Sequence, residues 1–252
     1  MLDSFWIFPA LFATGFIAGL IDSISGGGGL LTLPVLLGIG LPPHVALGTN
    51  KFQSTFGSFT STYYYRRHKV VKIREAVKGI IYTAIGTVIG TWSVQQIHPE
   101  FLGHLIPWLL LTIAIYTIFS PKLGTADQRA KLTPNVFYFL FGLLFGFYDG
   151  FFGPGVGSFW AIAFVLLMGF SLTKATGYTK AMNFTSNIVS AVVFIIGGKV
   201  IYAIGLVMAA GQIFGSIVGA RLVVKKGAKL IRPVFITIVI LTTIKLLYQN
   251  YW

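Results

Sequence analysis

Apolar segments run along the chain at 5–21, 29–41, 45–65, 76–97 and 101–119, then at 134–149, 156–170, 175–197, 200–224 and 230–248. Short stretches rich in Lys, Arg, Gly and Pro separate them. A helix rising 1.5 Å per residue needs about 20 residues to cross a ~30 Å hydrocarbon core. The third to fifth segments of each half have that length. The first two do not cross comfortably: residues 29–41 reach only about 20 Å, and 156–170 reach little more. A glycine-rich break divides the short pair in both halves, as Ser25-Gly26-Gly27-Gly28-Gly29 and as Gly153-Pro154-Gly155-Val156-Gly157. Short apolar arms around a Gly/Pro break predict a re-entrant hairpin of half-helices. Its tip lies near the membrane midplane, buried in protein rather than facing lipid.

The halves also align residue by residue. A shift of 127 pairs Gly15 with Gly142, Gly19 with Gly146, Asp22 with Asp149, Gly26 with Gly153 and Gly28 with Gly155. A shift of 129 then pairs Ala46 with Ala175, Gly48 with Gly177, Lys51 with Lys180, Gly86 with Gly215 and Gly90 with Gly219. Matches in this order, including acids and lysines inside apolar segments, point to duplication.

Loop charge predicts how the halves are oriented. In the first half the loop after the third segment carries Arg66, Arg67, Lys69, Lys72, Arg74 and Lys78, while the loop around 97–104 has no Lys or Arg. In the second half the bias reverses. Only Lys199 follows the third segment, and Arg221, Lys225, Lys226, Lys229 and Arg232 follow the fourth. Lys122, Arg129 and Lys131 lie between the halves. Basic loops gather on the cytoplasmic side. A hairpin that enters and leaves on one side, followed by three spans, inverts the second half relative to the first. The basic loops and the linker are then cytoplasmic, and both termini extracytoplasmic. Five spans per half is also an odd number, so the inversion holds if every segment crosses. The predicted fold is all-α: a polytopic membrane protein with two inverted repeats, each a re-entrant half-helix hairpin plus three transmembrane helices. Residues 1–120 form the first repeat, 121–133 a cytoplasmic linker, and 134–252 the second, inverted repeat.

Composition agrees with a membrane setting. Of 252 residues, 55% are hydrophobic and 10% charged, against about 25% charged in a soluble domain. The formal charge of +13, from 19 Lys and Arg against 6 Asp and Glu, follows from the basic loops. No basic domain lies outside the apolar segments, so no nucleic-acid partner is assigned. With no cysteine, disulfides, thiolate metal sites and thiol redox chemistry are excluded. Met1-Leu2-Asp3-Ser4 lacks the positive n-region of a signal peptide, so the first apolar run is expected to stay in the chain.

Candidate chemistry concentrates at the breaks and on the third segments. Asp22 and Asp149 end the first segment of each half, where an ionisable group is costly. They either carry a coupling proton or cap a half-helix N-terminus. The second half-helices begin near Leu30 and Gly157, and two such N-termini facing each other offer backbone N–H groups to an anion. Alternatively the glycines only permit the turn. The third segments carry polar stripes: Lys51, Ser54, Ser58 and Ser61, aligned with Lys180, Asn183, Asn187 and Ser190. Spacing of i, i+3, i+7, i+10 puts each stripe on one helix face. The stripes either line a cavity for a negatively charged ligand or glue helices together while the lysines snorkel. The substrate-binding candidates are Ser25, Gly26, Gly27, Gly28, Asn50, Lys51, Ser54, Gly153, Gly155, Lys180, Asn183 and Asn187. Gly86-x-x-x-Gly90 and Gly215-x-x-x-Gly219 predict close helix packing. His44, His68, His98 and His104 have no metal-ligand spacing and read as interfacial. No nucleophile–base set or nucleotide motif stands out, so no catalytic residue, metal or cofactor is assigned.

The duplicated glycine-rich hairpins, each followed by Ala46-Leu47-Gly48-Thr49-Asn50-Lys51 or Ala175-Thr176-Gly177-Tyr178-Thr179-Lys180, resemble the sulfite exporter TauE/SafE family, also called the toluene sulfonate uptake permease family. The resemblance covers nearly the whole chain. Phe152 and Pro154 stand where the first half has Ser25 and Gly27, so the hairpins need not contribute equally. The resemblance implies secondary transport of sulfite, thiosulfate, sulfonates or related organosulfur anions across a prokaryotic plasma membrane. The expected partners are a small anion and the lipid bilayer, with the oligomeric state open. A passive anion channel and a membrane scaffold or accessory subunit are the other classes.

Overall fold

The computed structural model describes residues 6–119 and 127–226. The predicted tenth segment at 230–248, with Lys122, Lys229 and Arg232, lies outside the described residues, as does the side chain of Ser25. Among the described residues all regular structure is α-helical: α1 (Ile7–Ser25), α2 (Gly29–Gly38), α3 (Pro43–Arg67), α4 (Ile73–Gln95), α5 (Pro99–Phe119), α6 (Pro134–Phe151), α7 (Val156–Met168), α8 (Leu172–Ile196) and α9 (Tyr202–Lys226). Local chemistry sets the ends. Pro43, Pro99 and Pro134 open α3, α5 and α6, where the missing N–H costs nothing. Gly169 closes α7 with φ 68°.

One expectation needs correction. The first apolar segment does not stop at residue 21. α1 runs to Ser25, and its stretch Ile7–Ile24 is long and apolar enough to cross a membrane, as are Ile73–Gln95, Leu172–Ile196 and Tyr202–Lys225. Polar Asp22 and Ser23 signalled an end, but inside the protein both find partners: Lys180 holds Asp22, and Ser23 Oγ donates to the Leu20 carbonyl. α2, with 10 residues, stays a half-length arm. Asp22 and Asp149 sit within the last turns of α1 and α6. His44 is buried and its Nε2 bonds the Val94 carbonyl at 3.0 Å.

α3 and α8 cross at the centre and run antiparallel. Gly48, near the start of α3, lies against Phe194 and Lys199 at the end of α8, while Gly177, near the start of α8, lies against Val70 and Val71 after α3. α1 lies along α9 and α6 along α4, both parallel, through glycine seams. Gly86 and Gly90 press on the backbone of Leu143 and Phe147, and Gly215 and Gly219 on that of Phe16 and Leu20. α2 packs beside α3 and α7 beside α8. Exchanging α1, α2, α3 and α4 with α6, α7, α8 and α9 leaves this scheme unchanged. The outer surface is apolar: Ile81, Ile85, Val88, Ile89 and Trp92 form an exposed stripe on α4, continued by Leu140 and Leu144 of α6. A continuous exposed apolar surface of this kind suits lipid.

Candidate functional site

The site is built where the first helix of each half meets its glycine break. Gly26 caps α1 with φ 76°, and Gly153 and Gly155 take φ 96° and 84° after α6, conformations strained for any residue with a Cβ. The first turn folds α2 back until Gly28 touches Ala18 and Asp22. The two breaks touch each other as well. A Cβ on Gly26 would lie 2.3 Å from the Gly157 Cα, and one on Gly29 3.5 Å from Pro154. The first turns of α2 and α7 therefore meet in the protein interior.

α3 and α8 bring the lysines to this junction. Lys51 Nζ donates to Asp149 Oδ1, and Lys180 Nζ donates to Asp22 Oδ2 at 3.1 Å. Each pair joins one half of the chain to the other. Lys51 is 2% exposed and Lys180 0%, so neither snorkels. The four charges sum to zero. Each ion satisfies its partner, and breaking such a buried pair from one side typically costs ~3–5 kcal/mol.

The two pairs differ in their remaining bonds. Asp149 Oδ2 accepts the Ser186 hydroxyl, whereas the residue aligned with Ser186 in the first half is Gly57. Asp22 Oδ1 instead accepts the Gly28 N–H at 3.4 Å, at the N-cap of α2. One carboxylate reaches a backbone N–H at the start of a half-helix; the other is held by side chains alone.

Beside the pairs lies a cavity of about 20 Å³, room for about one water. The breaks contribute Gly26, Gly29, Gly153, Pro154 and Val156, α3 contributes Asn50, Lys51 and Ser54, and α8 contributes Asn183 and Asn187. Both carboxylates reach it. Of the sequence candidates, Gly27 and Gly28 are buried in the turn, Gly155 faces Ile113 of α5, and Lys180 is not part of the lining. Thr32 Oγ1 and Gln53 Nε2 donate to Asn50 Oδ1 at 2.5 and 2.9 Å. That fixes the Asn50 amide so that Nδ2 faces Gly29, 3.5 Å from its ideal Cβ position. Ser54 Oγ accepts from Gln53 at 2.9 Å, so its own O–H points elsewhere. An ammonium, an amide N–H₂ and a hydroxyl thus stand on neighbouring turns of α3, a donor set that suits an oxyanion. Farther along the stripes, Asn187 Nδ2 donates to Ser58 Oγ at 3.3 Å, and Ser190 meets Thr91 at 2.9 Å. Among the described residues no group of His, Asp and Glu could hold a metal ion.

Sequence reasoning missed Ser186, Thr32 and Gln53, along with the crossing of the pairs. Ser186 did leave a signal, since it breaks the alignment of the halves at a stripe-adjacent position.

Comparison with known proteins follows the same outline. The chain is 44% identical over 246 residues to a protein of Haemophilus influenzae named "Probable membrane transporter protein", covering 96% of this chain and 95% of the relative. It is 45% identical over 241 residues to "Probable membrane transporter protein YfcA" of Escherichia coli K12, covering 96% and 90%. It is 24% identical over 268 residues to "Probable membrane transporter protein YunE" of Bacillus subtilis, covering 96% and 98%. No solved structure gives a significant match. The sequence model of the sulfite exporter TauE/SafE family matches residues 11–246, so the chain belongs to that family.

Proposed function

We propose that the chain is a secondary transporter moving small sulfur-containing anions across the plasma membrane by alternating access. Sulfite, thiosulfate, sulfonates and related organosulfur anions form the candidate class. The observation that carries this reading is the pair of crossed Lys–Asp bridges at the meeting point of the two glycine breaks. Buried ionisable groups within membrane helices mark a ligand path by default. Lys51, Asn50 and Ser54 supply donors for the oxyanion, and Asp22 and Asp149 are the candidate proton carriers. The antiparallel crossing of α3 and α8 supports an inverted arrangement of the halves, and the basic loops support both termini outside. The sulfur chemistry rests on the family description.

A carrier fits better than a passive channel because the central cavity of about 20 Å³ is too small for a sulfur oxyanion. The halves must part to admit one. A scaffold without substrate has no use for crossed buried charges, which typically lose ~1–4 kcal/mol against an apolar core.

The test is flux of sulfite, thiosulfate and a small sulfonate into proteoliposomes, with and without a pH gradient. Saturable uptake of at least one anion is expected, reduced at least about tenfold (1.4 kcal/mol of lost binding) by Lys51→Ala. Full transport in that variant, checked for monodisperse elution, would remove Lys51 from the site.

A further inference from the structure

We infer that Lys51 and Asp149 alone form the working pair, and that each monovalent anion crosses together with one proton carried on Asp149, so that the cycle moves no net charge. This rests on the transporter reading above. The asymmetry of the two bridges carries it. Both ions of the first bridge, Lys51 and Asp149, line the cavity, whereas of the second only Asp22 does and Lys180 does not. Lys180 is 0% exposed, and its partner Asp22 also accepts the Gly28 amide N–H at 3.4 Å, at the start of α2. That second bridge ties α8 to the turn between α1 and α2. The first bridge borders the space an anion must enter.

Charge conservation then sets the stoichiometry. An anion that takes the Lys51 ammonium displaces Asp149 and strands a second negative charge in the same buried place. The groups facing Asp149 cannot neutralise it. From α3 there is Lys51, now holding the anion. From α8 there are the Ser186 hydroxyl and Lys180, the latter engaged by Asp22. α4 presents Thr87 and Thr91 at the end of α6, its charged Arg74, Glu75 and Lys78 lying in its first turns. α7 carries no titratable side chain. Tyr148, beside Asp149 on α6, is bound through its hydroxyl to the Pro154 carbonyl at 2.8 Å. A proton from the side of entry removes the stranded charge. Ser186 remains to bond the protonated carboxyl. On release the anion leaves Lys51, Asp149 returns its proton to the far side, and the bridge reforms. The loaded and empty forms both carry the same net charge as the resting site, which is zero, so a membrane potential does no work on either.

Ethanesulfonate is the probe, because it stays monoanionic and does not leak as a neutral acid. Proteoliposomes with an outside pH about one unit lower are expected to accumulate it about tenfold. Clamping the potential at about 100 mV with potassium and valinomycin should leave that ratio within about twofold, where an anion moving alone shifts about 50-fold. An entrapped pH dye should report one proton entering per anion. Asp149→Asn, a stand-in for the protonated acid, should keep ethanesulfonate exchange and lose the pH drive. The double variant Asp22→Asn with Lys180→Met should slow the flux, since Asp22 reaches the cavity, and keep the accumulation ratio set by the gradient. Potential-driven accumulation overturns electroneutrality. A pH drive that survives Asp149→Asn, or that the double variant loses while exchange persists, overturns the assignment to Asp149. If ethanesulfonate, sulfite and thiosulfate all fail to move in the wild type, the transporter reading falls and takes this inference with it.

Discussion

The seam between α1 and α9 is tight enough to yield a magnitude for Gly215→Ala. A Cβ on Gly215 would stand 1.9 Å from the Phe16 carbonyl oxygen and 2.8 Å from the Leu20 nitrogen. Both are backbone atoms, so no rotamer change relieves the clash. α9 must retreat from 1.9 Å until ordinary contact at 3.4 Å is restored. The retreat loosens the neighbouring approaches of Gly15 to Met208, Gly19 to Gln212 and Gly219 to Leu20. Overpacking of this kind costs ~1–3 kcal/mol, and at ~2–4 °C per kcal/mol for a chain of this size it lowers the midpoint by ~2–12 °C. Gly103→Ala in α5 is the control, since among the described residues its Cβ would meet only Pro43 Cγ, at 3.8 Å. Ala there should be neutral or stabilise by up to ~1 kcal/mol. The assay heats detergent-solubilised protein and measures the monodisperse fraction by size exclusion. Equal midpoints for the two variants would refute the close approach of α1 and α9.

Four further outcomes follow from the same geometry. Lys51→Met and Asp149→Leu should each destabilise by ~3–5 kcal/mol, and the double variant should cost less than their sum by ~1–3 kcal/mol; additive thermal shifts would contradict the bridge. Gly26→Ala, at φ 76° and against Gly157, should abolish monodisperse expression, while Gly198→Ala, at φ 65° with no described residue within 4 Å, should cost only ~1–2 kcal/mol. The Ser171 backbone N–H, at the start of α8, donates to Asp127 of the linker at 2.6 Å and holds that carboxyl below the usual carboxylate range. A depressed folded-state value gives stability above the unfolded value of ~3.9 and loses it as pH falls through the folded value, so Asp127→Asn should lower the thermal midpoint at neutral pH and match the wild type in strong acid. In the cysteine-free background, Gln96→Cys should react with an impermeant thiol reagent from outside intact cells and Lys226→Cys should not; the reverse pattern would invert the topology.

The helices were legible because apolar runs and Gly/Pro punctuation coincide along this chain, as at Pro42-Pro43 before α3 and Gly169 after α7. The end of α1 was not legible. Asp22 and Ser23 look like a boundary until a lysine from the other half is placed beside them. The same limit applies at the site. Lys51, Lys180, Asp22 and Asp149 each stand out as ionisable groups in apolar surroundings. Their pairing depends on the antiparallel crossing of α3 and α8, and no local pattern encodes it. Read singly, the lysines were anion ligands or snorkelling groups, and the acids were proton carriers or caps. The structure joins them into bridges, so under the proposed transport reading anion binding and the state of the carboxylate become one event. Gly57 against Ser186 was the visible trace that the bridges differ, and its meaning needed the bond from Ser186 to Asp149.

Counterflow tests the central claim most directly. Proteoliposomes loaded with unlabelled ethanesulfonate are diluted into a trace of labelled ethanesulfonate, with no pH gradient and no potential. A carrier whose single site lies at Lys51 should draw label in to a transient overshoot above equilibrium, and Lys51→Met should show none. Monotonic equilibration in the wild type, or an undiminished overshoot in Lys51→Met, would contradict the account.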